Sequence, residues 1–342
     1  ILIIFGINLL FALIACNTQC QTFHEDIAPI IYENCTSCHR VGEIGPMQFT
    51  TYDEVSSQGS FIEYVINSGI MPPWTPNHNY QEFLGERYLT EDEIALFSDW
   101  VAGGMPEGNP ANNPGLPEFP DGSQIGEPDL VLEMTEPYVH TGDGTEQYQV
   151  FVLPTGLTEE KEVRAIEIRP GNSNIAHHGL VGYTSSQNSI NQAIALDDAT
   201  EDPGYENFGS YGVIVEDDLF GGWAPGIDAL SFPETIGKKM APDSYLLLQM
   251  HYGPSAVDAI DQTEINVFFS EAPIQREVET FIMNPSHLDG GWGSFVIPPN
   301  QVTTSHGSMA IPQDMSLISV TPHCHLLGQS WEVFARSPDA QD

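Results

Sequence analysis

The pentapeptide Cys35-Thr36-Ser37-Cys38-His39 constrains this chain more than any other feature. Two thiols one helical turn apart, followed at once by an imidazole, suit covalent attachment of a porphyrin through its vinyl groups, with the histidine over the iron. A bare Cys-x-x-Cys also fits a redox dithiol or half of a zinc site. Here no second cysteine pair follows and no thioredoxin-like βαβ pattern surrounds it, so heme c on Cys35, Cys38 and His39 is the expectation. A sixth ligand is expected downstream. Met71 opens the stiff segment Met71-Pro72-Pro73-Trp74, where two prolines limit backbone freedom around the thioether. Met47 and Met105 are rivals, and plain core packing is the alternative role for Met71.

The surrounding residues predict a small helical domain over 20–104. Three Thr-x-x-Glu boxes, Thr22 with Glu25, Thr51 with Glu54 and Thr90 with Glu93, would each satisfy free donors at a helix start. Ile94, Phe97 and Val101 recur at helical spacing, and Gly103-Gly104 supplies a stop. Residues 105–127, rich in Pro, Gly and Asn, predict a linker. Beyond it lie short strand-like runs, DLVLEM, YQVFVLP, VRAIEI, YLLLQMHY, INVFF and SLISV, separated by turn residues. The second half is therefore expected to be all-β, as a sandwich or jelly roll, in a multidomain chain.

Before the first helix, ILIIFGINLLFALIAC forms an apolar stretch that reads as an export signal over 1–16. Leu13-Ile14-Ala15-Cys16 resembles a bacterial lipobox, which implies lipidation of Cys16 and anchorage in the cell envelope, periplasmic or outer-surface; the alternative is a plain secretory signal. Of the five cysteines, Cys20 and Cys324 remain without a role, and a bridge between them stays open. With 48 acidic against 9 basic side chains the formal charge is −39, which excludes nucleic acid as an expected partner through the summed repulsive field.

Histidines of the second half fall into arrangements that suit a metal. On a strand, His323 and His325 would point to one face and grip one ion, with Cys324 pointing away. His177-His178 is different, because adjacent strand residues face opposite sides; both reach one ion only across a bulge or through different ring nitrogens. His251 would be a third ligand from a neighbouring strand. His24, His78, His140, His287 and His306 match no motif and are expected to be structural or superficial.

Residues 20–105 resemble class I cytochrome c domains, in which a Gly-x-Met-Pro stretch, here Gly69-Ile70-Met71-Pro72, carries the distal ligand. From residue 128 onward, Ala176-His177-His178, then Gln249-Met250-His251-Tyr252-Gly253, then His323-Cys324-His325 with Gly328, resemble the copper type II, ascorbate-dependent monooxygenases. The preceding runs Tyr148 to Pro154 and Ile166 to Pro170 belong to the same likeness. The resemblance implies two linked β-sandwiches, one over 128–270 and a second beginning at 271–342, each with one copper. It implies that His177, His178 and His251 form the electron-transfer copper site, and that His323 and His325 belong to the catalytic copper where dioxygen binds. The family completes the second site with a methionine well downstream of the His-x-His pair. The sequence ends at Asp342, so the expectation is a fragment. Thr321 stands where animal members carry an arginine for a substrate carboxylate, which argues against a peptidylglycine substrate.

The expected activity is copper-dependent monooxygenation of a small organic substrate with O2. The electron donor is an ascorbate-like reductant or a redox protein, acting through the haem. The competing reading is a non-catalytic electron-transfer lipoprotein with a metal-binding sandwich.

Overall fold

The computed structural model describes residues 21–119, 122–323 and 327–337. The export segment with Cys16, and also Cys20, Cys324 and His325, lie outside the described residues. The chain divides into two compact units, Ile1–Thr280 and Phe281–Asp342. Most of the regular structure is β-sheet with few helices. No described helix is long and apolar enough to cross a membrane.

A π-helical turn, Phe23–Ile27, runs into α1 (Ala28–Asn34), and α2 (Tyr52–Ser57), α3 (Gly59–Asn67) and α4 (Glu91–Ala102) follow. Reciprocal capping boxes form at Thr51 with Glu54 and at Thr90 with Glu93. Glu91, Asp92 and Glu93 add negative charge where the helix dipole is positive. The third expected box does not form, because Thr22 makes no side-chain cap. Thr22 N–H donates instead to Asp26 Oδ2 at 2.7 Å, while Phe23 N–H donates to the Pro106 carbonyl at 2.9 Å and His24 N–H to the Glu107 carbonyl at 3.2 Å. A local carboxylate and a segment distant in sequence thus share the helix start.

That same contact alters the reading of residues 105–127. The first part of the stretch is packed against the helices: Pro106 also accepts from the Trp100 indole at 3.0 Å, and Asn113 donates to His24 and Tyr32. Phe23, Ile27, Phe97 and Trp100 are fully or almost fully buried beneath it. Each such side chain contributes about 1.5–3 kcal/mol through apolar burial.

The strands begin with β1 (Leu130–Glu133), β2 (Tyr138–His140), β3 (Gln147–Pro154), β4 (Lys161–Arg169) and β5 (Ala176–Thr184). Helix α5 (Gln187–Asp197) precedes β6 (Tyr205–Glu206), β7 (Asp217–Trp223), β8 (Leu230–Ser231), β9 (Ile236–Met240) and β10 (Tyr245–Tyr252). Last come β11 (Ala259–Asp261), β12 (Glu264–Phe269) and β13 (Arg276–Glu277), so the sheets run past residue 270. One sheet has the order β1-β12-β4-β9-β13 with β8 paired to β4; a second has the order β6-β3-β10-β5-β7; β11 and β2 form a small ribbon.

The two larger sheets share one apolar core. Phe151, Leu153, Val181, Leu246, Leu248 and Met250 from the second sheet meet Val163, Ile166, Ile168, Ile265 and Val267 from the first. Side chains alternate across a strand, so the intervening residues of β10, Leu247, Gln249 and His251, point to the outer face. Leu247 is nevertheless fully buried, because Ala193 of α5 and the tyrosines 205 and 211 cover it. This second cover explains why Leu246, Leu247 and Leu248 follow one another without alternation. Farther along the same outer face lies His251.

In Phe281–Asp342 the described residues hold two 3-10 turns, Pro285–His287 and Trp292–Ser294, and one isolated bridge, Leu288 with Gly307. The run SLISV, expected as a strand, carries none, and residues 321–323 leading into the His-x-His pair are not a strand either. Ile282, Val302, Leu317 and Ile318 are exposed. An apolar run becomes a stable strand only with a partner ladder and a covered face, and these residues have neither among the described ones.

Candidate metal centre on the outer face of the sheet

The geometry of the triad begins with register. His178 pairs with His251 across the β5–β10 ladder, but the next partner of Tyr252 is Ala176, not His177. His177 is thus the extra residue of a β-bulge, which breaks the strict alternation that would have sent it to the opposite face. The consequence is convergence. His177 Nδ1 lies 3.2 Å from His178 Nδ1, and His178 Nδ1 lies 3.4 Å from His251 Nδ1. All three donor atoms fall within 4.8 Å of one another, and among the described residues no other group of three or more His, Cys, Asp or Glu converges in this way.

These distances fit a metal ion. Metal–nitrogen bonds of about 2.0 Å at tetrahedral angles place donor atoms about 3.3 Å apart, which matches the 3.2 and 3.4 Å separations here. Imidazole donors suit copper and zinc alike, so the ring set alone does not choose between them.

A supporting shell holds the most buried ring. Tyr148, directly opposite His251 on β3, stacks on it with centroids 4.1 Å apart and planes 11° from parallel. Glu146 Oε2 stands 3.6 Å from His251 Nε2 and accepts a hydrogen bond from the Tyr148 hydroxyl at 3.2 Å. A carboxylate on the far ring nitrogen orients a ligating imidazole and raises its basicity. Sequence reasoning passed over Glu146, because its only link to His251 is the pairing of β3 with β10. His178 is half-buried and His177 exposed, so one side of the site opens to solvent.

The thiols and imidazole of the Cys-x-x-Cys-His segment follow α1. Cys35 and Cys38 are free thiols. Burial, with the neighbouring Cys38 adding to it, pushes the Cys35 thiol up to about 12. His39 is buried and its Nδ1 pairs with the Met47 carbonyl at 2.9 Å, which leaves Nε2 as the ring nitrogen for an iron. The rival methionines Met47 and Met105 pack against the helical core. Met71 follows α3 at the surface, 37% exposed. The free thiols and the oriented ring fit covalent haem attachment, and Met71 is the thioether left outside the core.

His323 is exposed in the Phe281–Asp342 unit, and its partner His325 lies outside the described residues. Among the histidines without a motif, His24 is buried and bonded to Asn113, while His78 stacks on Tyr88. No protein-family model and no curated protein matches this chain.

Proposed function

We propose that this protein is an exported haem-copper oxidoreductase, a copper-dependent monooxygenase that hydroxylates a C–H bond of a small organic substrate with O2, its electrons entering through heme c. In this reading the helical region is a cytochrome c domain, and the two packed sheets are the first of two jelly-roll copper sandwiches. The protein is anchored to the bacterial envelope through Cys16.

The observation that carries the proposal is the bulge-driven meeting of three imidazole Nδ1 atoms on the outer face of the sheet. Copper bound there would supply one-electron redox chemistry, which gives a purpose to a haem segment in the same chain. His177, His178 and His251 would hold that ion, with Tyr148 and Glu146 fixing the His251 ring. Cys35 and Cys38 would tether the porphyrin, His39 would ligate its iron through Nε2, and Met71 would take the opposite position. His323 and His325 would ligate the second, catalytic copper. The exposure of His177 equally favours the competing carrier role, since an ion open to solvent exchanges electrons readily with a partner.

Oxygen uptake separates the two. The full-length protein, with the downstream methionine in place, loaded with haem and copper and given excess reductant, is expected to consume O2. His325→Ala should abolish uptake and leave the haem spectrum intact. Unchanged uptake in that variant would overturn the catalytic assignment.

A further inference from the structure

The loop that leaves the Cys-x-x-Cys-His segment is tied to the loop that enters the histidine doublet. Ser173 Oγ donates to the Gly42 carbonyl at 2.6 Å, and Ser173 is buried. Gly42 closely follows His39, and Ser173 closely precedes His177. One hydrogen bond therefore joins two short covalent runs, one ending at each set of ligands.

A second tie lies alongside. The Arg87 guanidinium pairs with the Asp228 carboxylate and also donates to the Ser37 hydroxyl at 3.4 Å, inside the Cys-x-x-Cys segment. Gly226, at φ +83°, brings its loop so near that a Cβ there would stand 3.8 Å from Cys38 Sγ and 3.9 Å from Arg87 Nη1. The loop bearing Gly226 and Asp228 leaves β7, and the loop bearing Ser173 enters β5. These strands are antiparallel neighbours, with Gly179 opposite Trp223, so both ties fall at the sheet end that carries the triad. With 9 basic side chains against 48 acidic, the two regions would otherwise repel. An arginine is placed at this junction.

We propose that these contacts form a seat within one chain, fixing the haem-attachment loop against the triad-bearing end of the sheet, with Ser173 and Arg87 as positioning residues for direct electron transfer. The proposal rests on the haem-copper reading above. One electron leaves ferrous haem iron, which becomes ferric, and enters a cupric ion at the triad, which becomes cuprous; no bond forms and no proton moves. Seating keeps the two groups at one separation, so transfer does not wait on diffusion.

The test uses the full chain loaded with haem and copper, as wild type, Ser173→Ala, Arg87→Gln and the double variant. Pulsed electron-spin measurements give the iron–copper distance distribution, and photoreduction of the haem gives the transfer rate. Wild type should show one narrow distance and a rate independent of protein concentration. Each single loss should shift the seated-to-unseated ratio by about fivefold, the equivalent of one hydrogen bond. The double variant should broaden the distribution and slow transfer further, with its haem and copper spectra unchanged. A double variant with the wild-type distribution and rate would overturn the seat alone. A wild type that binds no haem, or no copper at the triad, would overturn the parent reading and the seat with it.

Discussion

His178 and His251 face each other across the β5–β10 ladder with their Nδ1 atoms 3.4 Å apart, and the bulge beside them brings in His177. An antiparallel pair on one face already supplies two imidazoles that could hold an ion; a single extra residue supplies the third. The site is therefore built by one irregularity in an otherwise regular sheet.

The Glu146 carboxylate stands 3.6 Å from His251 Nε2. Glu146→Gln removes the charge and keeps the shape. Copper affinity, measured by competition with a chelator, is expected to fall by about 10–100-fold. An affinity equal to wild type would show that the carboxylate does not support the ligand.

Gly45 packs against the ligand segment with no room to spare. A Cβ there would stand 2.6 Å from both the Cys38 carbonyl oxygen and His39 Nδ1. The first of these is backbone and cannot swing aside. Gly45→Ala should displace His39 from the Met47 carbonyl and cost about 1–3 kcal/mol, the usual range for overpacking. Haem incorporation on expression and the denaturation midpoint check this together; normal values of both would refute it.

Glu54 links stability to acid. Burial opposes its ionisation, but hydrogen bonds from Thr50 N–H at 2.8 Å, Thr50 Oγ1 at 2.9 Å and Thr51 N–H at 3.0 Å outweigh that and hold its carboxyl below the ordinary value. A carboxyl depressed in the folded state contributes stability above its unfolded pKa of about 4.3 and loses it as pH falls through the folded value. Thermal melts of wild type and Glu54→Gln should differ most at neutral pH and draw together below about pH 4. A gap that widens on acidification would contradict the sign.

What the sequence determined by itself is what neighbouring residues settle. The boxes at Thr51 and Thr90 need only donors and acceptors three residues apart, so they form as read. The strand runs from Leu130 to Phe269 likewise carry their own spacing. The His177-His178 doublet showed that a shared ion needs either a bulge or approach through different ring nitrogens, since regular alternation sends the two rings to opposite faces.

Only the tertiary structure decided the rest. Thr22 has the residues of a cap, yet its N–H goes to Asp26 while Pro106 and Glu107 hold the next two amides. SLISV has the residues of a strand, yet it forms none. Glu146 behind His251, Gly45 beneath His39 and Ser173 on Gly42 are meetings of residues brought together by strand register or loop packing. Short-range hydrogen bonding is written into a few consecutive side chains. The choice of partner across a fold depends on every element that competes for the same surface, and no local pattern contains it.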